Sequence, residues 1–326
     1  MKEQEILLDV SELSVKFHTR EGVVHAVENV NFTLNKGEIL ALVGESGCGK
    51  SVTANTIMGL VGRKKHEKVS GSVSFHGDDL LKKTERQMQK IRGNQISMIF
   101  QDPMTSLDPL MQIGAQVGEV LEIHEPVKKK NAVEKAVEML KMVGIPSAED
   151  RAKDYPYQFS GGMRQRSIIA ASMMCSPQII IADEPTTALD VTIQAQILKL
   201  LAKLRREKNV AILLITHDLG VVAELCDRVA VMYAGEIVET AAVKELYANP
   251  CHPYTKGLME CLPVLGSRKR LEPIPGQPPK LISPPLGCKF KDRCKYACEG
   301  CEKPQALAET GEGHRTACWK WRECHE

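Results

Sequence analysis

Apolar and polar positions alternate over residues 5–43, in Ile6-Leu7-Leu8-Asp9-Val10, in Leu13-Ser14-Val15-Lys16-Phe17 and from Val30 to Leu34. That is the period of half-buried strands. The turn signal Asn35-Lys36-Gly37-Glu38 then leads into Ile39-Leu40-Ala41-Leu42-Val43, a continuous apolar run that reads as a buried strand. A glycine-rich loop follows, and a helix is predicted from about Lys50. Residues 71–100 read as short strands around Gly77, a charged helix from Lys82 to Arg92 and an apolar strand from Ile96 to Phe100.

From Met104 to about Gln158 the apolar spacing changes to three and four. Helices are predicted over Gln112 to Ile123 and Lys129 to Val143, with Gly144-Ile145-Pro146 as the stop. Strand and helix then alternate: strands at Ile179 to Ala182 and Val210 to Ile215, helices from about Thr192 to Lys208 and from Leu219 to Leu225. Strands separated by helices predict an α/β fold with a parallel sheet covered on both faces, and the helical stretch is an insertion into it. Past Leu246, nine prolines between Pro250 and Pro285 predict an extended, loop-rich tail. No internal repeat is present, so the chain carries a single module.

Composition narrows the function. The 326 residues are 43% hydrophobic and 26% charged, as in ordinary soluble globular proteins. A formal charge of +2 leaves no basic footprint, so nucleic acid is not an expected partner. Met1-Lys2-Glu3-Gln4-Glu5 lacks the start of a signal peptide, and the longest apolar runs, such as Ala211 to Ile215, are strand-length. A cytosolic protein is expected, with any membrane role passing through a partner. Of eleven cysteines, six (Cys288, Cys294, Cys298, Cys301, Cys318 and Cys324) crowd the C-terminal end. In a reducing compartment that pattern reads as a metal site more readily than as disulfides.

The strongest chemical signal is Gly44-Glu45-Ser46-Gly47-Cys48-Gly49-Lys50-Ser51, which fits G-x-x-x-x-G-K-[ST] between a buried strand and a helix. Glycines let successive amides point at phosphate oxygens, and the helix start adds its positive end. Lys50 would reach the β- and γ-phosphates of ATP, Ser51 would ligate Mg²⁺, and Val52 completes the binding segment. Cys48 beside phosphate-binding amides is expected to be an accessible thiolate, sensitive to thiol reagents and protected by ATP. Further on, Ile179-Ile180-Ile181-Ala182-Asp183-Glu184 is an apolar strand ending in two acids. Asp183 would hold Mg²⁺ and Glu184 would polarise the attacking water.

Phe159-Ser160-Gly161-Gly162-Met163-Arg164-Gln165-Arg166 resembles the signature motif of ABC ATPases. Gln101 matches that family's Q-loop, Ala188-Leu189-Asp190 its D-loop, and Ile215-Thr216-His217-Asp218 its switch segment. In this order the motifs resemble the family over roughly residues 5–240. The resemblance implies a P-loop (RecA-like) ABC ATPase core over residues 1–245, with an N-terminal antiparallel β subdomain and a helical insertion at about 101–165. It implies that Gln101 touches Mg²⁺ and senses the γ-phosphate, that His217 orients the transition state and that Phe17 stacks on adenine. Ser160, Gly161, Gly162, Gln165 and Asp190 would face the ATP of a second subunit. Soluble repair or ribosomal ABC ATPases are the rival class, but neither their coiled-coil insertions nor their tandem modules are present.

Met104-Thr105-Ser106-Leu107-Asp108-Pro109, Asn249-Pro250-Cys251-His252-Pro253-Tyr254-Thr255 and Ile274-Pro275-Gly276-Gln277-Pro278-Pro279 resemble the ATPases of bacterial dipeptide, oligopeptide and nickel permeases. So does Gly287-Cys288-Lys289-Phe290 followed by Arg293-Cys294. The resemblance implies two membrane permease subunits, an extracytoplasmic binding protein and a second ATPase, either a related chain or another copy. It leaves the cargo open among peptides, nickel and peptide-like solutes. In residues 246–326 it implies a four-iron, four-sulfur cluster on Cys288, Cys294, Cys301 and Cys318. Thiolate chemistry alone also admits zinc, and Cys298-Glu299-Gly300-Cys301 supplies a zinc-like CxxC pair. Cys298 or Cys324 could replace one of the four, and the role could be structural or redox.

Overall fold

The computed structural model describes residues 5–102, 105–187, 189–262 and 273–321. Pro103, Met104, Ala188, Pro263 and Cys324 lie outside them. The first strands are β1 (Ile6–Thr19), β2 (Gly22–Asn35) and β3 (Ile39–Val43), followed by helix α1 (Lys50–Ile57). Next come β4 (Glu67–Phe75), β5 (Asp78–Asp79), α2 (Glu85–Ile91) and β6 (Ile96–Ile99). The insertion supplies α3 (Ile113–His124), α4 (Lys129–Met142) and α5 (Ala148–Arg151) ahead of α6 (Gly161–Ser172). Then β7 (Ile179–Asp183), α7 (Val191–Lys208), β8 (Ala211–Thr216), α8 (Leu219–Leu225), β9 (Arg228–Tyr233) and β10 (Glu236–Ala242) follow. The chain ends in α9 (Val243–Ala248), α10 (Pro253–Glu260), β11 (Ala308–Gly311) and β12 (His314–Thr316).

Two compact units result. One comprises residues 5, 35–38 and 82–214, and the other residues 6–34, 39–81 and 215 onward. In the first, β8, β7 and β6 lie side by side, with β6 and β7 parallel and Ile96 opposite Ile179. There α3 packs on α4 and both pack on α6. Asn209 ends α7 in a left-handed conformation, a common helix stop. Arg205 of α7 donates from Nε to the Gly37 carbonyl at 2.7 Å, which ties the helix to the turn before β3.

The second unit holds an antiparallel sheet in the order β2-β1-β4-β5 and a run of strands in the order β3-β9-β10-β12-β11. β3 and β9 are parallel, with Val43 opposite Val231. The expected pair of short strands at 6–17 is one continuous strand. Its alternation changes phase at a bulge between Ser11 and Ser14, where Glu12 takes a φ of 53°.

The C-terminal residues also differ from the expected loop-rich tail. They contain α9, α10 and a hairpin whose β12 pairs with β10. They do not form a compact unit of their own starting near residue 246, because Leu246, Tyr254 and Phe290 are buried in one core with Val229, Val231 and Tyr233. Few apolar residues are needed when the core is shared. Among the described residues no helix is long and apolar enough to cross a membrane.

A buried ion pair pins the hairpin. Glu239 of β10 accepts from the Cys251 amide at 2.6 Å and from the His252 amide at 2.9 Å, and His314 Nε2 lies 2.7 Å from its Oε1. Burial opposes ionisation of Glu239, but the His314 contact and these amides outweigh it and hold the carboxyl below its usual range. The hydrogen bond to Glu239 raises the His314 pKa. A raised histidine stabilises fully below the ordinary imidazole value, about 6.5, and loses that effect as pH rises through its folded value. A lowered carboxyl stabilises above about 4.3 and loses that effect as pH falls through its folded value. The pair therefore contributes most between about pH 4.5 and about pH 6.5. Thermal melts of the wild type and His314→Gln across pH are expected to differ most in that window, by about 3 kcal/mol, and to converge at alkaline pH. A gap that widens at alkaline pH would refute this account.

Candidate functional site

The phosphate loop joins β3 to α1. Gly44, Gly47 and Gly49 adopt φ values of 150°, 79° and 108°, which curl the backbone in a way side-chain-bearing residues resist. Lys50 is buried, and its Nζ donates to the carbonyls of Gly44 at 2.7 Å and Glu45 at 3.0 Å. The lysine thus spans the mouth of the loop, held by two backbone carbonyls. Ser46 and Gly47 are exposed, while Ser51 and Val52 are half-buried in the first turn of α1. Phe17 is half-buried on β1 opposite Glu67 of β4. His217 is exposed beyond β8, ahead of Asp218, which caps α8 by accepting from the Gly220 and Val221 amides.

In the other unit, β7 delivers Asp183, buried at the strand end, and Glu184 just beyond it. Glu184 has a φ of 46°, an uncommon conformation for a residue with a side chain. Such strain persists where a side chain must be aimed. Gln101 Nε2 donates to Glu184 Oε2 at 3.0 Å, and the Thr187 hydroxyl donates to the same oxygen at 2.9 Å. Two residues selected from distant motifs are therefore in direct contact. Thr187 was not foreseen from sequence, and only its place three residues past Glu184 marks it.

Ser160 caps α6, accepting from the Met163 amide at 3.4 Å, and both Ser160 and Gly161 are exposed. Asp190 is likewise exposed and caps α7, accepting from the Ile193 amide at 3.0 Å. The two caps adjoin: a Cβ on Gly162 would lie 2.6 Å from the Ile193 side chain. Gln165 departs from its expected role facing a second subunit's ATP. It is 1% exposed, because five residues of helix turn it about 140° from Ser160. Its amide atoms are buried without a hydrogen-bond partner.

Cys48 also departs from expectation. It is buried, and burial pushes its thiol pKa up despite Lys50, whose Nζ lies 3.8 Å from Sγ. The accessible thiolate expected there is not formed.

In the C-terminal region, Cys288, Cys294, Cys301 and Cys318 line one cavity together with Phe290, Tyr296 and Trp319. Cys298 is not part of that lining, although its sulfur lies 3.8 Å from that of Cys301. Burial pushes the Cys288 thiol up to about 11. The Tyr296 amide donates to Cys294 Sγ at 3.4 Å. Among the described residues, the only metal-type ligands found within 4.8 Å of one another in a group of three are Glu239, Cys251 and His314. Glu239 is already committed there to the ion pair and two amides.

A glycine-rich loop closed by a lysine, an acidic strand end with its glutamine, and a serine-capped signature helix define an ATP-binding cassette. The ABC transporter family model matches residues 27–187, and the model of the oligopeptide/dipeptide transporter C-terminal region matches residues 238–301. The dimeric structure of MJ0796, a bacterial ABC transporter cassette, is 29% identical, covering 73% of this chain and 99% of that one with a TM-score of 0.65. A post-hydrolysis state of that cassette, bound to ADP and Pi, is 28% identical over the same shares with a TM-score of 0.65. The oligopeptide transport ATP-binding protein OppD of Haemophilus influenzae is 51% identical over 96% of this chain and 97% of its own. The dipeptide transport ATP-binding protein DppD of Bacillus subtilis is 50% identical over 97% of this chain and 95% of its own. The chain belongs to the ATP-binding proteins of the ABC transporter family, in its oligopeptide/dipeptide branch.

The buried, protonated state of Cys48 is directly testable. At neutral pH, N-ethylmaleimide should modify it at least about tenfold more slowly than a free thiol, with the rate climbing only in the alkaline range. Peptide mass spectrometry of timed reactions reads this, and fast modification of Cys48 near pH 7 would overturn it.

Proposed function

We propose that the chain binds and hydrolyses ATP to power the import of peptides through an ABC transporter. The observation that carries the reading is the lysine-closed phosphate loop, within a chain about half identical to peptide-transport ATP-binding proteins along nearly its whole length. In this reading the loop from Gly44 to Val52 receives the nucleotide phosphates and Lys50 exchanges its carbonyl partners for the β- and γ-phosphates. Phe17 stacks on adenine. Ser51, Gln101 and Asp183 each carry an oxygen donor of the hard kind Mg²⁺ takes, and that ion when bound would neutralise charge on the phosphates. Glu184, oriented by Gln101 and Thr187, takes the proton from the attacking water, and His217 steadies the γ-phosphate.

The exposed caps Ser160-Gly161-Gly162 and Asp190 suit a second ATPase subunit, whose bound ATP they would approach from the helix start. The subunit itself would sit at the cytoplasmic face of the membrane, on two permease subunits served by an extracytoplasmic binding protein. Those partners select the cargo.

For the four cavity-lining cysteines we propose a four-iron, four-sulfur cluster. Four soft sulfur donors around one cavity fit it. Held there, the cysteines would staple residues 288–318 together.

In the assembled transporter, Lys50→Ala and Glu184→Gln should each lower magnesium-dependent phosphate release at least about 100-fold. Lys50→Ala should weaken ATP binding, whereas Glu184→Gln should retain it. Wild-type turnover in Lys50→Ala would end the proposal. Anaerobically purified chain should carry about four iron and about four sulfide, and Cys294→Ser should lose most of both. Colourless protein containing zinc alone would reject the cluster.

A further inference from the structure

Glu45 is the one carboxylate in the loop from Gly44 to Ser51, the loop that in the proposed function receives a highly charged triphosphate. Like charges oppose binding unless one is neutralised. Arg293 grips Glu45 with two prongs, Nη1 to Oε2 at 2.8 Å and Nη2 to Oε1 at 3.0 Å. The arginine side chain is 6% exposed. Its guanidinium is fixed in turn: Nε donates to the Pro275 carbonyl at 2.8 Å, and the group lies 5.8 Å from the Tyr233 ring centroid and 5.9 Å from that of Phe290. The Glu45 amide donates to the Tyr254 hydroxyl at 2.9 Å. One loop residue is thus held by the C-terminal region through both its backbone and its side chain.

We propose that Arg293 is a positioning residue for nucleotide binding: its paired charge cancels the Glu45 carboxylate and holds it against the C-terminal region, leaving the phosphate loop electrostatically open to ATP. The inference rests on the reading that nucleotide occupies the loop from Gly44 to Ser51. A two-pronged arginine–carboxylate contact is strong and specific in geometry, so removing the arginine leaves a half-buried, unpaired anion. The penalty should scale with ligand charge, greater for ATP than for ADP, and should shrink as salt is raised.

The test is a double-mutant cycle on the full-length chain, with Mg-ATP and Mg-ADP binding measured by calorimetry. Arg293→Gln should weaken Mg-ATP about tenfold, which corresponds to about 1.4 kcal/mol, and Mg-ADP less. The transporter's KM for ATP should rise in parallel while kcat stays within about twofold. In the E45Q background the same R293Q change should cost almost nothing, because there is no carboxylate left to cancel. Arg293→Lys keeps the charge and should lose no more than about threefold. A purely structural arginine would give equal losses in both backgrounds, equal losses for ATP and ADP, and no salt dependence, and any of these overturns the inference. If R293Q does not fold, the cycle is run with R293K, whose smaller loss must likewise vanish in the E45Q background. Lys50→Ala separates the two claims. If it binds ATP normally, the placement of the nucleotide is wrong; if it loses binding while the cycle shows no coupling, only the role of Arg293 fails.

Discussion

Two backbone carbonyls set the path of the phosphate loop. A Cβ on Gly44 would lie 2.1 Å from the Met232 carbonyl oxygen, and one on Gly49 would lie 2.5 Å from that of Ala26. At those separations no side chain fits, so the loop runs pressed between the end of β9 and β2. The Gly235 amide then donates to the Cys48 carbonyl at 2.9 Å, and the Glu28 amide donates to the Gly235 carbonyl at 2.8 Å. Within this unit β2 of the antiparallel sheet, the β9–β10 turn and the loop form one hydrogen-bonded frame. Its consequence is chemical, because a backbone fixed in this way presents its amides already arranged and adds little reorganisation when an anion arrives.

The loop was legible in the sequence because its chemistry dictates both residue type and spacing. Lys50 must follow the glycines directly, and Asp183 and Glu184 must stand where a buried strand ends. Gln101 and Glu184 were named from motifs far apart, and their hydrogen bond at 3.0 Å joins them. Gln165 shows the opposite case. Motif membership suggested an outward role, while helical periodicity counted from Ser160 points it inward, and burial follows the periodicity. Cys48 misled for a related reason: nearness to phosphate-binding amides says nothing about exposure, and here burial controls the thiol.

Long-range pairing accounts for most of what was missed. A broken alternation near Glu12 looks like two strands until β4 is seen to run unbroken alongside, with Gly71 leaving room: a Cβ there would lie 2.5 Å from the Glu12 carbonyl oxygen. Glu239 is fully buried on β10, and nothing in its neighbouring residues marks it as such. Its partner His314 lies 75 positions later, past a proline-rich stretch that carries no strand signal. Short strands such as His314–Thr316 are too brief to show a period at all.

The same long-range economy explains how a proline-rich segment keeps a defined shape. It donates Tyr254 and Phe290 to an aromatic cluster with Tyr233, whose ring lies 4.6 Å from that of Tyr254 and 5.3 Å from that of Phe290. It then inserts two cations. Lys289, 3% exposed in its side chain, reaches Glu28 at 2.7 Å and Glu236 at 3.1 Å, while Arg293 reaches Glu45. Buried cations need such partners, since an unpaired one would be prohibitively desolvated. Each stands next to a cavity-lining cysteine, Lys289 beside Cys288 and Arg293 beside Cys294. Whatever fixes those two sulfurs also fixes the roots of both cationic side chains, so rigidity at the cysteines passes through a single peptide link to the strand frame and to the phosphate loop.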